Sequence, residues 1–269
     1  MANYQWDAED YAKNSSNQQR WARELIQKLG LTGSERVLDV GCGDGKVSAE
    51  LAAHLPQGAV VGVDFSDAMI TLAQQRFGAA GHPNLRFQKE DAGRLPFTNE
   101  FDVVFSNATL HWVLDHPPVV RGIANSLKPG GKVLLQMGGK GNIADMLNVI
   151  NPLIATPRWA RYFENFGFPY GFYAPQDYAA WLPAAGLKAV RLELFPKDMV
   201  HAGWAGLAGW VRTTKIPYTQ RVPEAEREAF IGEVVDAYLA QFPLDAQGNA
   251  HVRMLRLEVE AFKPLPTAV

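Results

Sequence analysis

The chain has 269 residues, of which 47% are hydrophobic and 20% charged, and its formal net charge is −2. This composition is typical of an ordinary globular protein and excludes the disordered, collagenous and fibrous classes. The small net charge, without a run of like charges, gives no sign of a surface for nucleic acid or anionic membrane. A single cysteine, Cys42, excludes an internal disulfide framework and a cysteine-based zinc site. A polar N-terminus without any long apolar run favours a cytoplasmic protein.

Strand-like and helix-like segments alternate over the first half of the chain. An amphipathic helix is predicted over 17–29, and further helices over 45–55, Ser66–Phe77 and about His116–Leu127. Buried strands are predicted at Arg36–Val40, Ala59–Val63, Leu85–Gln88, Phe101–Ser106 and Lys132–Met137. This alternation predicts an α/β fold with a mostly parallel sheet and helices on both faces. Ligands of such folds bind beyond the carboxyl ends of the strands.

The pattern changes after about residue 140. Helices are predicted over 142–165, Pro175–Ala185, 203–214 and 223–241, an aromatic loop over Phe166–Tyr173, and strands over Leu187–Phe195 and His251–Phe262. Long connections in compact domains are usually functional. We therefore expect one domain over 1–269, with a ligand-binding core at 30–140 and helical cap insertions at 140–175 and 198–248 that bind the substrate.

A glycine-rich loop follows the first strand, and its glycines are Gly41, Gly43 and Gly45. Glycines allow a close backbone approach, and the next helix supplies free N–H groups. A dinucleotide site requires G-x-G-x-x-G, whereas position 46 is a lysine. The spacing resembles instead the D/E-x-G-x-G-x-G motif of class I S-adenosylmethionine-dependent methyltransferases, in which Asp39 matches the acidic residue near the cofactor's ammonium group. A turn without a ligand is the alternative.

Three later strand ends extend this resemblance. Asp64 matches the acid that binds the ribose hydroxyls, and Phe65 and Met69 follow it, placed to pack on the adenine. The other matching positions are Asp91 and Ala92 at the adenine and Asn107 at the methyl-donor pocket. The resemblance implies a Rossmann-like fold with a seven-stranded, mostly parallel sheet, S-adenosylmethionine as cofactor and S-adenosylhomocysteine as product. For Asp64, capping of the following helix is the alternative.

Two segments indicate the class of acceptor. Ser106–Val113 is similar to a segment of the trans-aconitate, juvenile-hormone-acid and malonyl-carrier methyltransferases, which esterify carboxylates. Tyr11–Gln18 looks like an N-terminal segment of the juvenile-hormone-acid enzymes. There the residues matching Gln18 and Trp112 sit beside the reacting carboxylate, so the resemblance implies carboxylate O-methylation. His111 is left open between a pocket hydrogen-bonding group, a buried structural residue and a general base, and a base would favour N-, S- or C-methylation.

The cap completes the predicted site. Substrate contacts are predicted at Tyr11, Trp210, Arg212, Thr213 and Tyr218. The histidines lack a metal-binding spacing, so no metal is predicted, although a magnesium site built from scattered acids stays open. We expect a small-molecule substrate, neither nucleic acid nor membrane as partner, and a monomer or homodimer. A cofactor-binding module without activity and a dinucleotide oxidoreductase are the other hypotheses. The N-terminal segment is predicted to fold over bound cofactor.

Overall fold

The computed structural model describes residues 16–266, with side chains from Gln19 onward. Its strands are β1 (Arg36–Val40), β2 (Ala59–Asp64), β3 (Leu85–Lys89), β4 (Phe101–Asn107), β5 (Leu127–Gly138), β6 (Lys188–Ala202) and β7 (Asn249–Phe262). Its helices are α1 (Ser16–Leu29), α2 (Lys46–Ala53), α3 (Asp67–Phe77), α4 (His116–Ser126), α5 (Ala144–Ile154), α6 (Pro175–Ala184), α7 (Gly203–Thr214), α8 (Ile216–Thr219) and α9 (Glu224–Gln241). Short 3-10 turns occur at Ala92–Arg94, Leu110–Trp112 and Ala160–Tyr162. None of the helices within 16–266 is long and apolar enough to cross a membrane.

The seven strands form one sheet in the order β3-β2-β1-β4-β5-β7-β6. Strands β1 to β5 are parallel, and β7 lies antiparallel between β5 and β6. This confirms the predicted α/β fold with a mostly parallel, seven-stranded sheet. The chain runs outward from β1 to β3 and then returns to β4 on the other side of β1. That reversal creates the crevice where ligands of such sheets bind, at the carboxyl ends of β1 and β4.

Hydrophobic clusters cover both faces of the sheet. One cluster packs α4 and α6 against residues such as Leu38 and Val104, and the other packs α1, α2 and α3 against residues such as Phe105. Because both faces are covered, the central strands are continuous apolar runs, as the sequence predicted. A third cluster joins α5, α7 and α9 to Trp21 of α1 and to the distal ends of β6 and β7. The cap residues therefore pack a core of their own.

Strands β5 and β6 are several residues longer than the sequence predicted. Strand β5 begins at Leu127, because Leu127 pairs with Phe101 before an irregularity in the register. Strand β6 continues to Ala202, so residues 198–202 belong to the sheet and not to a cap insertion. Arg256 is the first residue of β7 that pairs with β5, whereas residues 249–254 pair with β6 only. The C-terminal end of β6 and the N-terminal end of β7 therefore form a two-stranded ribbon that extends into the cap.

A buried carboxylate attaches α1 to the sheet. Glu258 of β7 is fully buried and accepts hydrogen bonds from Lys28 of α1 (2.7 Å), from Gln136 of β5 (2.9 Å) and from Arg191 of β6. Burial raises the pKa of Glu258, but the three hydrogen bonds outweigh it and the net pKa is lowered. Glu258 therefore stays ionised and fixes the helix that carries Trp21.

Candidate active site

Close packing explains two of the three loop glycines. Gly41 has φ +82°, and a Cβ there would lie 2.0 Å from the Thr109 side chain. Gly45 has φ +83° at the start of α2, and a Cβ there would lie 2.8 Å from Phe87. At Gly43, by contrast, a Cβ would meet no atom within 4 Å. The loop is thus packed on the sheet at its ends and open at its centre, as a cradle for a ligand requires.

Asp39 is a buried carboxyl at the end of β1. It is 2% exposed, and the Ser48 hydroxyl donates a hydrogen bond to it at 2.6 Å. Burial raises the pKa of Asp39 to about 7, the Ser48 hydrogen bond opposes this rise, and the charge of Asp64 adds to it. A bound ammonium group would favour the ionised form. Asp39 therefore fits the predicted position beside the amino group of the cofactor.

Asp64 ends β2 and faces the same loop. One of its oxygens accepts the N–H of Gly43 at 3.0 Å, and the other accepts the N–H of Ser66 at 2.9 Å. Burial raises its pKa, and these hydrogen bonds counter the rise. The cap of α3 is Ser66, whose hydroxyl accepts the N–H of Met69. A carboxylate oxygen has two lone pairs, so Asp64 retains capacity for the ribose hydroxyls.

The remaining predicted cofactor residues lie at the same edge of the sheet. Asp91 accepts the N–H of Gly93 at 2.8 Å and so begins the 3-10 turn at Ala92. Ala92 is buried, and Asn107 is the last residue of β4. After β2, Met69 is buried and Phe65 is half-buried. The structure thus brings together at one edge all of the strand-end positions that the sequence singled out.

A turn after β4 joins the glycine loop to a second pocket. The Thr109 hydroxyl donates to the Gly41 carbonyl at 2.9 Å, and the Ala108 N–H donates to the Gln136 carbonyl at 2.8 Å. Ala108 has φ +58°, which turns the chain sharply at the strand end. His111 and Trp112 follow directly. The hydrogen bonds of the turn therefore fix the positions of His111 and Trp112 relative to the glycine loop.

His111 is half-buried and neutral. Its Nδ1 accepts the N–H of Gly138 at 3.4 Å, which assigns the ring proton to Nε2, and its carbonyl accepts the N–H of Gly171 at 2.9 Å. Burial, followed by the positive charges of Arg256 and Lys215, holds its pKa well below the usual value. The acceptor nitrogen of His111 is thus already engaged and weakly basic.

The pocket beside this turn lies between side chains of the turn, the aromatic loop, α7 and β7. Its walls are mostly aromatic and apolar, with a few polar groups. The lining residues are Trp21, Ala108, His111, Trp112, Asn142, Tyr170, Phe172, Met199, Trp210, Thr214, Lys215, Met254 and Arg256. Of the predicted catalytic and substrate residues, His111, Trp112 and Trp210 line it.

Two buried cations in this pocket escaped the sequence analysis. Lys215 is 4% exposed, with its Nζ 4.1 Å from the ring centroid of Trp210, and burial lowers its pKa to about 7. Arg256 is 2% exposed, with its guanidinium 5.5 Å from the ring centroid of Trp21. Within the described chain, no carboxylate forms an ion pair with Lys215. The alternation of buried and exposed residues in β7 could have identified Arg256, because it follows Met254 by two residues and therefore lies on the same buried face.

Three predicted substrate residues lie elsewhere. Arg212 is paired with Glu228 at the surface, at 2.8 and 2.6 Å. Thr213 donates its hydroxyl to the Gly209 carbonyl at 2.8 Å, and Tyr218 packs in the cap core against Phe166. Arg212 and Thr213 miss the pocket because of helical periodicity. Trp210 and Thr214 are one turn apart on the face of α7 that lines it, and the residues between them point to other faces.

Two predicted residues fall at the N-terminus. Tyr11 lies outside the described residues. Gln18 belongs to α1, one turn before Trp21, but its side chain is not among those described. The predicted closure of the N-terminal segment over the cofactor also concerns residues outside the described range. No cluster of metal-ligating side chains occurs among residues 19–266.

Comparisons with known proteins identify the family. A model of the methyltransferase domain matches residues 37–131. The chain is 31% identical to a trans-aconitate 2-methyltransferase of Deinococcus radiodurans, over 93% of this chain and 96% of that protein. It is 29% identical to a trans-aconitate 2-methyltransferase of Methylobacterium nodulans, over 94% and 96%.

The fold agrees with these similarities. Phosphoethanolamine N-methyltransferase 2 of Haemonchus contortus, solved in complex with S-adenosylmethionine, superposes with a TM-score of 0.61 at 19% identity, over 96% of this chain and 56% of that one. The open centre of the glycine loop and the buried carboxyl of Asp39 fit the same cofactor. The chain therefore belongs to the family of S-adenosylmethionine-dependent methyltransferases that includes the trans-aconitate 2-methyltransferases.

Proposed function

We propose that this enzyme methylates a carboxylate oxygen of a small organic acid. The observation that carries the proposal is the pocket beside the β4 turn, which contains the buried cations Lys215 and Arg256 between aromatic walls. Among the described residues no carboxylate pairs with the buried Lys215, and a buried ammonium group is costly unless an anion compensates it, so this pocket favours an anionic occupant. The relatives named trans-aconitate 2-methyltransferase support this choice, and trans-aconitate is the first acceptor to test.

The chemistry requires little acid–base assistance from the protein. A carboxylate is already ionised near pH 7, so no base is needed to activate it. When bound, S-adenosylmethionine would supply a methyl group on a positively charged sulfur. Transfer of that methyl group to the carboxylate oxygen would break the carbon–sulfur bond and give an ester and S-adenosylhomocysteine. The chain contributes mainly by holding the acceptor in line, and such positioning is worth up to about 7–11 kcal/mol of the barrier.

Each group of residues has a proposed part in this positioning. Asp39 and the glycine loop bind the amino acid portion of the cofactor, and Asp64 binds its ribose. Trp112 and Gln18 orient the reacting carboxylate with neutral hydrogen bonds, which leave it nucleophilic. The aromatic side chains of the pocket, such as Tyr170 and Phe172, exclude water from the reacting groups.

Methylation of nitrogen, sulfur or carbon with His111 as base is less well supported. A general base needs a free acceptor nitrogen and a pKa near the operating pH. In His111 the acceptor nitrogen faces the Gly138 N–H, and burial together with two nearby cations lowers the pKa. His111 therefore serves better as a hydrogen-bond donor through Nε2.

A labelled methyl group tests the proposal directly. The enzyme is incubated with methyl-labelled S-adenosylmethionine and trans-aconitate, and the product is treated with mild base. We expect the label to be released as volatile methanol, because methyl esters hydrolyse under these conditions. A labelled product that survives the base would overturn carboxylate methylation. No transfer to trans-aconitate alone would turn the same assay to a panel of other small acids.

A further inference from the structure

The two cations of the pocket belong to different parts of the fold. Arg256 lies on β7 opposite Gly138, beside the β4 turn that holds His111. Lys215 lies between α7 and α8, and its backbone N–H donates to the Val211 carbonyl at 2.9 Å. One cation is therefore attached to the sheet near the reacting groups, and the other is attached to the cap. An acceptor with a single carboxylate has no need of both.

Resting on the proposed carboxylate methylation, we propose that Lys215 selects the acceptor by binding a carboxylate that is not methylated, and that above neutral pH this binding draws a proton from solvent into the pocket. The proton goes to the Nζ of Lys215 when the acceptor binds. It returns to solvent when the product leaves, because methyl transfer from a sulfonium to a carboxylate neither consumes nor releases a proton.

Among the titratable groups around Lys215, the pKa values single out Lys215 itself as the group that takes up this proton. It faces His111 from the β4 turn, His201 from β6, Arg256 from β7 and the ring of Tyr170 from the aromatic loop. The pKa of His111 is well below its usual value, and burial together with the charge of Lys215 lowers that of His201 to about 4. An arginine keeps its charge throughout this range. Burial places the pKa of Lys215 itself at about 7.

The proton uptake has a defined pH dependence. Above pH 7 the free enzyme holds mostly neutral Lys215, and a carboxylate binds best after Lys215 is protonated. The KM for the acceptor should therefore rise above pH 7, by up to about tenfold per pH unit, while kcat stays nearly constant. A lysine that only packs in the core would leave KM independent of pH.

Proton uptake is measured by calorimetry on the enzyme saturated with S-adenosylhomocysteine, so that no turnover occurs. Trans-aconitate is titrated at pH 8 in phosphate and in Tris, whose ionisation enthalpies differ. We expect an uptake approaching one proton per site in the wild type and close to zero in Lys215→Arg, which is charged beforehand. Equal uptake in both proteins would overturn the inference.

Selectivity is tested with three acids of decreasing charge: trans-aconitate with three carboxylates, glutaconate with two and crotonate with one. Lys215→Met should lower kcat/KM for the first two by roughly 10- to 100-fold and leave crotonate nearly unchanged, because it removes one charged hydrogen bond. Lys215→Arg should retain the preference. Lys188→Met, at an exposed lysine of β6, is the matched control and should behave as the wild type.

The outcomes separate the two proposals. If the wild type methylates these acids and Lys215→Met keeps the same order of preference, the role of Lys215 is wrong and carboxylate methylation stands. If the wild type methylates none of them and base-stable products form with other acceptors, the proposed function fails and the role of Lys215 fails with it. Should Lys215→Met not fold, calorimetry on Lys215→Arg still decides the inference.

Discussion

Gly41 and Gly43 lie two residues apart in the same loop and have opposite tolerance for a side chain. Gly41→Ala would place a methyl group 2.0 Å from Thr109, whereas Gly43→Ala would extend into open space. Both replacements bear the cost of a positive φ, about 1–2 kcal/mol. We expect Gly41→Ala to lose at least about 2 kcal/mol more stability than Gly43→Ala, because overpacking adds to the strain. Denaturant unfolding of both variants measures this, and equal losses would contradict the packing of Thr109 on the loop.

Asp39 should make cofactor binding dependent on pH. Its pKa of about 7 means that the carboxyl is largely protonated below neutrality, and a protonated carboxyl attracts an ammonium group weakly. We expect the Kd for S-adenosylmethionine to rise as the pH falls from 7.5 to 6. Asp39→Asn should bind more weakly at pH 7.5 and show a flatter profile. Calorimetric titrations at four pH values make the comparison, and parallel profiles would refute the assignment.

The ribbon formed by the ends of β6 and β7 carries an exposed charge cluster. His251 on β7 bonds Asp198 of β6 at 2.7 Å and Asp245 of the preceding loop at 2.9 Å. The Asp245 and Asp198 hydrogen bonds raise the pKa of His251. The protonated histidine thus joins the ribbon to the loop between α9 and β7.

The stability contributed by this cluster depends on pH with a fixed sign. Because the folded pKa of His251 is raised, its contribution is fully present below the unfolded pKa of about 6.5 and is lost as the pH rises through the folded pKa. We expect His251→Gln to lower the free energy of unfolding at pH 6 and to have little effect at pH 9. Urea unfolding at both pH values checks the sign, and an equal effect at both would show that the charge is unimportant.

Glu258 links three elements, and its removal tests their attachment. In Glu258→Ala, Lys28, Arg191 and Gln136 all lose their shared acceptor. Breaking a buried ion pair on one side typically costs about 3–5 kcal/mol. Lys28 is partly exposed, so Lys28→Met should cost much less. Thermal unfolding of the two variants ranks them, and a larger loss in Lys28→Met would contradict the central role of Glu258.

Across the whole molecule, the sequence predicted the features that depend on residues close together along the chain. The strands and helices of the core follow from hydrophobic periodicity and turn residues, whereas the proposed cofactor residues were predicted from the resemblance of the strand-end motifs to those of methyltransferases. Lys215 and Arg256 could not be paired in this way, because they meet only when α7 folds onto the distal part of β7. Arg212 was predicted as a substrate contact because it lies at the end of a cap helix, whereas the face of α7 that lines the pocket carries Trp210 and Thr214.

The last strand of the described residues, β7, lies inside the sheet, between β5 and β6. Strand β6 has only β7 as its described neighbour, and β7 also contributes Met254 and Arg256 to the acceptor pocket. A nascent chain that stops before β7 already contains every proposed cofactor residue but lacks this wall of the pocket. During synthesis, all of the proposed cofactor residues are therefore made before β7 supplies this wall of the acceptor pocket.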